Sequence, residues 1–152
     1  MRFEITSGAF EYPSDLLQIS SYPETLYCNG QLEFDSSIFN KCVSIVGSRK
    51  ASEYGKKVVQ EIVYALVKEG ITIVSGFMYG IDSLAHEAAL DFNGKTIAVL
   101  PAGIENIIPS ENKSLYKRII SSGGFGDFVF KNLNPAEKKH FSLKKYKFGR
   151  LF

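Results

Sequence analysis

Three short, apolar, largely β-branched runs, Cys42 to Val46 (CVSIV), Ile71 to Val74 (ITIV) and Thr96 to Leu100 (TIAVL), alternate with segments of helical period. This alternation constrains the fold more than any other feature. The runs are continuously apolar rather than alternating, as expected of strands buried on both faces of a parallel sheet. Between the first two, Val58, Val59, Ile62, Val63, Leu66 and Val67 recur at helical spacing from Glu53 to Glu69, leaving Lys56, Lys57, Gln60, Glu61 and Lys68 on other faces. Gly70 stands where a left-handed residue commonly closes a helix. Ile81 to Leu90 predicts a second helix, and Ser110, followed by Glu111 and Asn112, is a plausible cap of a third running to about Ile120. Phe125 to Phe130 could add a strand. The pattern predicts an α/β fold: a Rossmann-like, doubly wound parallel sheet covered on both faces, incomplete at its C-terminal side.

A chain of 152 residues suits one compact domain with a real core. Residues 1–40, punctuated by Pro13, Pro23, Gly30 and Asp35, read as a helical or irregular lead-in. Residues 41–141 carry the sheet pattern, and 142–152 form a divergent basic tail. The overall charge of +2 hides a split: residues 1–130 carry 11 basic and 15 acidic side chains, and 131–152 carry 7 and 1. No apolar run approaches the roughly 18 residues of a membrane-spanning helix, and MRFEITSGAFEY lacks the features of a signal peptide. A cytoplasmic protein without membrane contact is expected. Cys28 and Cys42 lack metal-site spacing and read as reduced structural thiols. No metal, cofactor or catalytic group is expected.

Parallel α/β sheets bind ligands at the carboxyl ends of their strands. The loops there are Gly47-Ser48-Arg49-Lys50, Ser75-Gly76 through Gly80, and Pro101-Ala102-Gly103. Small residues let an anion approach backbone N–H groups at a helix start, and the Arg49 guanidinium can grip a phosphate by two hydrogen bonds. The spacing therefore favours phosphate binding, against a plainer reading of turn glycines and a solvated arginine. GSRKASEYG is neither GxGxxG nor GxxxxGK[ST], and no acidic residue ends the second strand to take a ribose. Asp82 and His86 lie four apart on one helix; without a third ligand, Asp82 is expected to satisfy N–H groups at the helix start and His86 to bond or pack against the sheet.

SIVGSRKASEYG (44–55), GITIVSGFMYGIDSLAH (70–86) and GKTIAVLPAGIENIIPSEN (94–112), with the lead-in YPSDLLQI and YPETLYCNG, closely resemble the DNA-processing protein A family, also called Smf, over about residues 12–141. The resemblance implies a non-enzymatic, extended Rossmann domain that binds single-stranded DNA and helps load the RecA recombinase in natural transformation, with a homodimer as the candidate assembly. It implies that Gly47, Ser48, Arg49, Lys50 and the Ser75-Gly76 loop, with Gly80 and Gly103, take phosphates, and that Lys138 and Phe141 extend the site. Phe141 is the candidate base-stacking residue, with core packing as its alternative. The rival function is a nucleotide-monophosphate enzyme: Gly123-Gly124-Phe125-Gly126-Asp127 is faintly similar to the GGxGT loop of lysine-decarboxylase-like phosphoribohydrolases, but their catalytic glutamate is missing.

Departures from the family pattern mark three places, one of them Phe128-Val129-Phe130, where the family usually has Ser-Glu-aromatic. Tyr79 stands where the family usually has arginine, and SLKKYKFGRLF replaces the family's Pro-x-Arg-Asn-Arg after Phe141. Removing one nucleotide from codons able to encode Phe141 to Tyr146 restores Phe-Pro-x-Arg-Asn, so residues 142–152 are read as a frameshifted end. That reading implies an uncovered sheet edge and weaker DNA binding than in a full-length relative.

Overall fold

A computed structural model describes residues 2–20, 22–30, 36–100, 107–123 and, by backbone alone, 125–129. Its elements in chain order are β1 (Arg2–Thr6), β2 (Thr25–Asn29), β3 (Cys42–Ser44), α1 (Glu53–Lys68), β4 (Thr72–Ser75), α2 (Ile81–Asp91), β5 (Thr96–Ala98), α3 (Lys113–Ser121) and β6 (Phe125–Val129). Short 3-10 segments lie at Ser14–Gln18, Ser36–Phe39 and Ser110–Asn112.

The best-patterned helix forms for the reasons its sequence supplies. Ser52 caps α1, its hydroxyl accepting from the Gly55 N–H at 3.1 Å, and Glu53 and Lys68 lie at the ends whose partial charges suit them. Gly70, at φ +69, closes α1, its N–H donating to the Val67 carbonyl while Ile71 donates to Leu66. The buried stripe Val59, Val63 and Leu66 then packs against Ile73 and the small residues Ala85, Ala88 and Ala89 of α2. Ser110, expected to cap the third helix, instead begins the 3-10 turn that leads into α3.

The sheet order is β1-β2-β6-β5-β4-β3. β3 through β6 pair in parallel, whereas β2 is antiparallel to both β1 and β6. The Rossmann-like parallel α/β core expected from the sequence is therefore present. Each crossover moves one place in the same direction, and right-handed connections then put every helix on one face. Ile73 packs on that side against α1 and α2, and Ala98 against α3, where Leu115 and Ile119 are buried.

On the opposite face Val74, Ile97 and Val99, with Ile5, Leu26 and Cys28 from β1 and β2 of the same sheet, form one core with Tyr12, Leu16 and Ile38. Residues expected as a helical or irregular lead-in thus supply a β-hairpin and a covering layer of 3-10 turns; among the described residues no α-helix lies on this side. The hairpin lies beside β6, so the outer strands of the described sheet are β1 and β3. Neither Cys28 nor Cys42 is in a disulfide. The Cys42 thiol donates to the Ile38 carbonyl at 3.1 Å; burial first, and the Asp15 charge second, push its pKa up to about 12, leaving little nucleophilic thiolate. Among the described residues no helix is long and apolar enough to cross a membrane.

Candidate functional site

The carboxyl ends of β3 and β4 deliver two loops to the same end of the sheet, and two glycines lock these loops together. A side chain at Gly47 would overlap Ile81. One at Gly80 would overlap the backbone of Ser48 and Arg49, at a φ of +79 that already favours glycine. The Ile81 N–H donates to the Ser48 carbonyl at 3.1 Å across this contact. Gly47 and Gly80 therefore let one loop lie on the other, a packing role alongside any role in admitting an anion.

Under the lock sits a carboxylate. Asp82, 7% exposed, accepts from the Met78 N–H at 3.4 Å. Burial raises its pKa above the usual aspartate value, and nearby donors, the Met78 N–H first, pull the other way. Ser75 is fully buried and its hydroxyl reaches the Ile45 carbonyl at 2.6 Å; it faces inward. The Ser48 hydroxyl closes a local turn with the N–H and carbonyl of Lys50, at 3.1 and 3.0 Å. Both serine hydroxyls are thus engaged by the protein's own groups.

The second loop is clamped from the 3-10 turn that precedes α3. The Asn112 amide donates to the Phe77 carbonyl at 3.0 Å and to the Ser83 hydroxyl at 2.9 Å, while Ser83 donates to the Met78 carbonyl. Phe77, fully buried, holds a φ of +60 that a non-glycine residue rarely adopts, and this clamp sustains it. Tyr79 donates to Glu111 at 2.7 Å, which holds the Glu111 carboxyl below its ordinary pKa and the Tyr79 phenol above its own. Deeper in, the Thr96 hydroxyl donates to the Ile73 carbonyl at 2.9 Å, so it accepts from His86 Nδ1 at 2.7 Å and fixes the tautomer of a fully buried imidazole. Burial lowers the His86 pKa to about 3. Both residues behave as their helix positions implied.

What faces outward is cationic and aromatic. Arg49 and Lys50 are exposed and form no ion pair among the described residues. Tyr54, on the first turn of α1, is 78% exposed, and Tyr79 is 42% exposed. Sequence reasoning brought Gly47, Ser48, Arg49, Lys50, Ser75, Gly76 and Gly80 to one end of the sheet, where the structure has them. Gly103, Lys138 and Phe141 lie outside the described residues, as does the tail 142–152. It missed Asn112 and Glu111 as loop partners; their place just before an amphipathic helix signalled a cap, and the contact to a loop 35 residues earlier has no local signature. Among the described residues no group of three His, Cys, Asp or Glu is placed to hold a metal.

The sequence matches the family of DNA recombination-mediator protein A over residues 4–143. Protein Smf of Synechocystis sp. is 42% identical over 114 residues, 74% of this chain and 29% of that protein. DNA processing protein DprA of Streptococcus pneumoniae is 41% identical over 136 residues, 88% of this chain and 45% of that protein. The X-ray structure of the S. pneumoniae protein superposes with a TM-score of 0.70 at 33% identity, over 82% of this chain and 42% of that one. The Helicobacter pylori DNA processing protein A, whose structure is described for its single-stranded DNA binding mode, also gives 0.70, at 26% identity over 89% of this chain and 59% of that one. The chain spans less than half the length of the curated relatives it matches.

Proposed function

Because the chain belongs to the DNA recombination-mediator protein A family, we propose that it binds single-stranded DNA and serves as a recombination mediator rather than an enzyme. The observation that carries this reading is the exposed Arg49-Lys50 pair, without ion pairs among the described residues, on a loop whose backbone packs against Gly80. Single-stranded DNA presents a phosphate at every nucleotide and a π face on every base, so fixed cations beside exposed aromatics such as Tyr54 suit it. The single-stranded DNA binding named for the H. pylori relative supports the same assignment. Lys138 and Phe141 are proposed to extend the site, and Gly103 to bring the third loop to it. By family resemblance the further partners are the RecA recombinase and a second copy of the chain, acting in the cytoplasm.

The rival reading, a nucleotide-monophosphate enzyme, requires an open N–H cradle for one phosphate. Asp82 already takes the Met78 N–H and the Ile45 carbonyl takes the Ser75 hydroxyl, which disfavours it. A gel mobility shift with poly-dT, run beside a mononucleotide hydrolysis assay, separates the two. Retardation of poly-dT without hydrolysis is the expected result; hydrolysis without retardation overturns the proposal.

A further inference from the structure

Residues 48–54 run between two glycines, and both glycines rest on one side chain. A Cβ at Gly47 would overlap the Ile81 side chain at 2.7 Å, and one at Gly55 would touch Ile81 Cδ1 at 3.5 Å. The Ile81 N–H also bonds the Ser48 carbonyl, so the start of α2 pins both ends of this stretch, and the Ser52 cap holds its junction with α1. Every residue from 48 to 54 except Ala51 is exposed. Tyr54 is the one aromatic among them. It is 78% exposed, and its side chain makes no hydrogen bond or ring contact among the described residues.

Other exposed aromatics are placed differently. Tyr79 is bonded to Glu111, and Tyr64 and Phe92 meet edge to face at 5.1 Å with the Lys68 ammonium over the Tyr64 ring. Phe10 follows β1, at the opposite edge of the sheet from β3. The charge around Tyr54 suits a polyanion: the neighbouring Glu53 carboxylate is held by Lys56 at 2.6 Å, while Arg49 and Lys50 on the same stretch form no ion pair among the described residues. An unpaired nucleotide offers a π face on its base and a charge on its phosphate, which a free ring and free cations on one fixed backbone segment can take together. Tyrosine brings a large contact surface with only two side-chain torsions to immobilise.

We propose that Tyr54 is a base-stacking residue of the DNA site, covering the face of a nucleotide whose phosphates are held from the same segment by Arg49 and Lys50. This rests on the single-stranded DNA reading above and adds a selectivity that cations alone do not supply. In a duplex the base faces are covered by their neighbours, so the ring has nothing to stack on. On a single strand it adds affinity with little dependence on salt, because stacking releases no counterions.

The test pairs the ring with the base. The parent and Tyr54→Ala are titrated at low salt with a dT oligonucleotide and with an abasic oligonucleotide of the same length, which keeps the phosphates and lacks the bases. Tyr54→Ala is expected to weaken dT binding about tenfold without changing the slope of log affinity against log salt, and to leave abasic binding within about twofold of the parent. Tyr54→Phe is expected to keep the parent's dT affinity. Arg49→Ala should weaken both probes and lower the slope. Equal losses on the two probes in Tyr54→Ala overturn the stacking role, as does a parent that binds both probes equally well. The chain has no tryptophan, so Tyr54→Trp supplies a lone reporter. Saturating dT is expected to quench its emission and saturating abasic oligonucleotide to leave it nearly unchanged; emission unaltered by bound dT contradicts stacking. A parent that binds neither probe refutes the DNA reading itself.

Discussion

The Ile81 N–H donates to the Ser48 carbonyl at 3.1 Å, joining the start of α2 to the loop that leaves β3. Two peptide backbones can lie this close only because Gly80 has no side chain: a Cβ there would overlap Ser48 and Arg49. The contact converts two separate strand-end loops into one surface.

Gly80→Ala is accordingly expected to cost about 3 kcal/mol or more, combining a left-handed backbone penalty of roughly 1 kcal/mol with a backbone clash that cannot relax by rotating a side chain. Gly70→Ala is the control. Gly70 also has a positive φ, but a Cβ there would meet open space, and about 1 kcal/mol is expected. Urea unfolding of the two variants measures the difference; equal losses contradict the loop lock.

Acid should weaken the fold through His86. Its folded pKa lies near 3, against about 6.5 in an unfolded chain, so the unfolded state takes up the proton first as pH falls. The stability is complete above about pH 6.5 and declines towards pH 3, at up to about 1.4 kcal/mol per pH unit. The raised pKa of Asp82 acts in the opposite sense at the acid end, because there the folded state binds a proton before the unfolded one. Comparing urea midpoints at pH 7 and pH 5 should show a loss of about 2 kcal/mol that His86→Gln abolishes. A loss that persists in His86→Gln assigns the proton elsewhere.

Tyr79 occupies the position where family resemblance places an arginine, and its bond to Glu111 keeps it beside the rim. Tyr79→Arg is expected to steepen the salt dependence of oligonucleotide binding by up to about 0.7, the value for one added phosphate contact on a single strand. Tyr79→Phe removes the 2.7 Å bond without adding charge and should leave the slope as it was. An unchanged slope in Tyr79→Arg places this residue outside the DNA path.

The legible parts of this fold are those whose signal is local. Val58 to Val67 fixed α1 because helical period and a Ser52 cap are properties of consecutive residues, and the expected Glu53 to Glu69 differs from the observed Glu53–Lys68 by one residue. The hairpin of β1 and β2 escaped because its place beside β6 depends on residues about a hundred positions away, and Pro13 and Pro23 between its strands dominate the local pattern. At the site, the small residues of the strand-end loops lie at one end of the sheet as expected, whereas the close approach of Gly80 to the Ser48 and Arg49 backbone is a tertiary contact between segments some thirty residues apart and has no local signature.

The most direct measurement of the central claim is fluorescence anisotropy of a labelled dT oligonucleotide titrated with the parent and with Arg49→Ala/Lys50→Ala over a range of salt. Both side chains are exposed, so circular dichroism melts of the two proteins should coincide. The account predicts that the double variant binds at least about tenfold more weakly at low salt, with the slope of log affinity against log salt reduced by about 1.4, two phosphate contacts' worth. A double variant that keeps the parent's affinity and slope contradicts it.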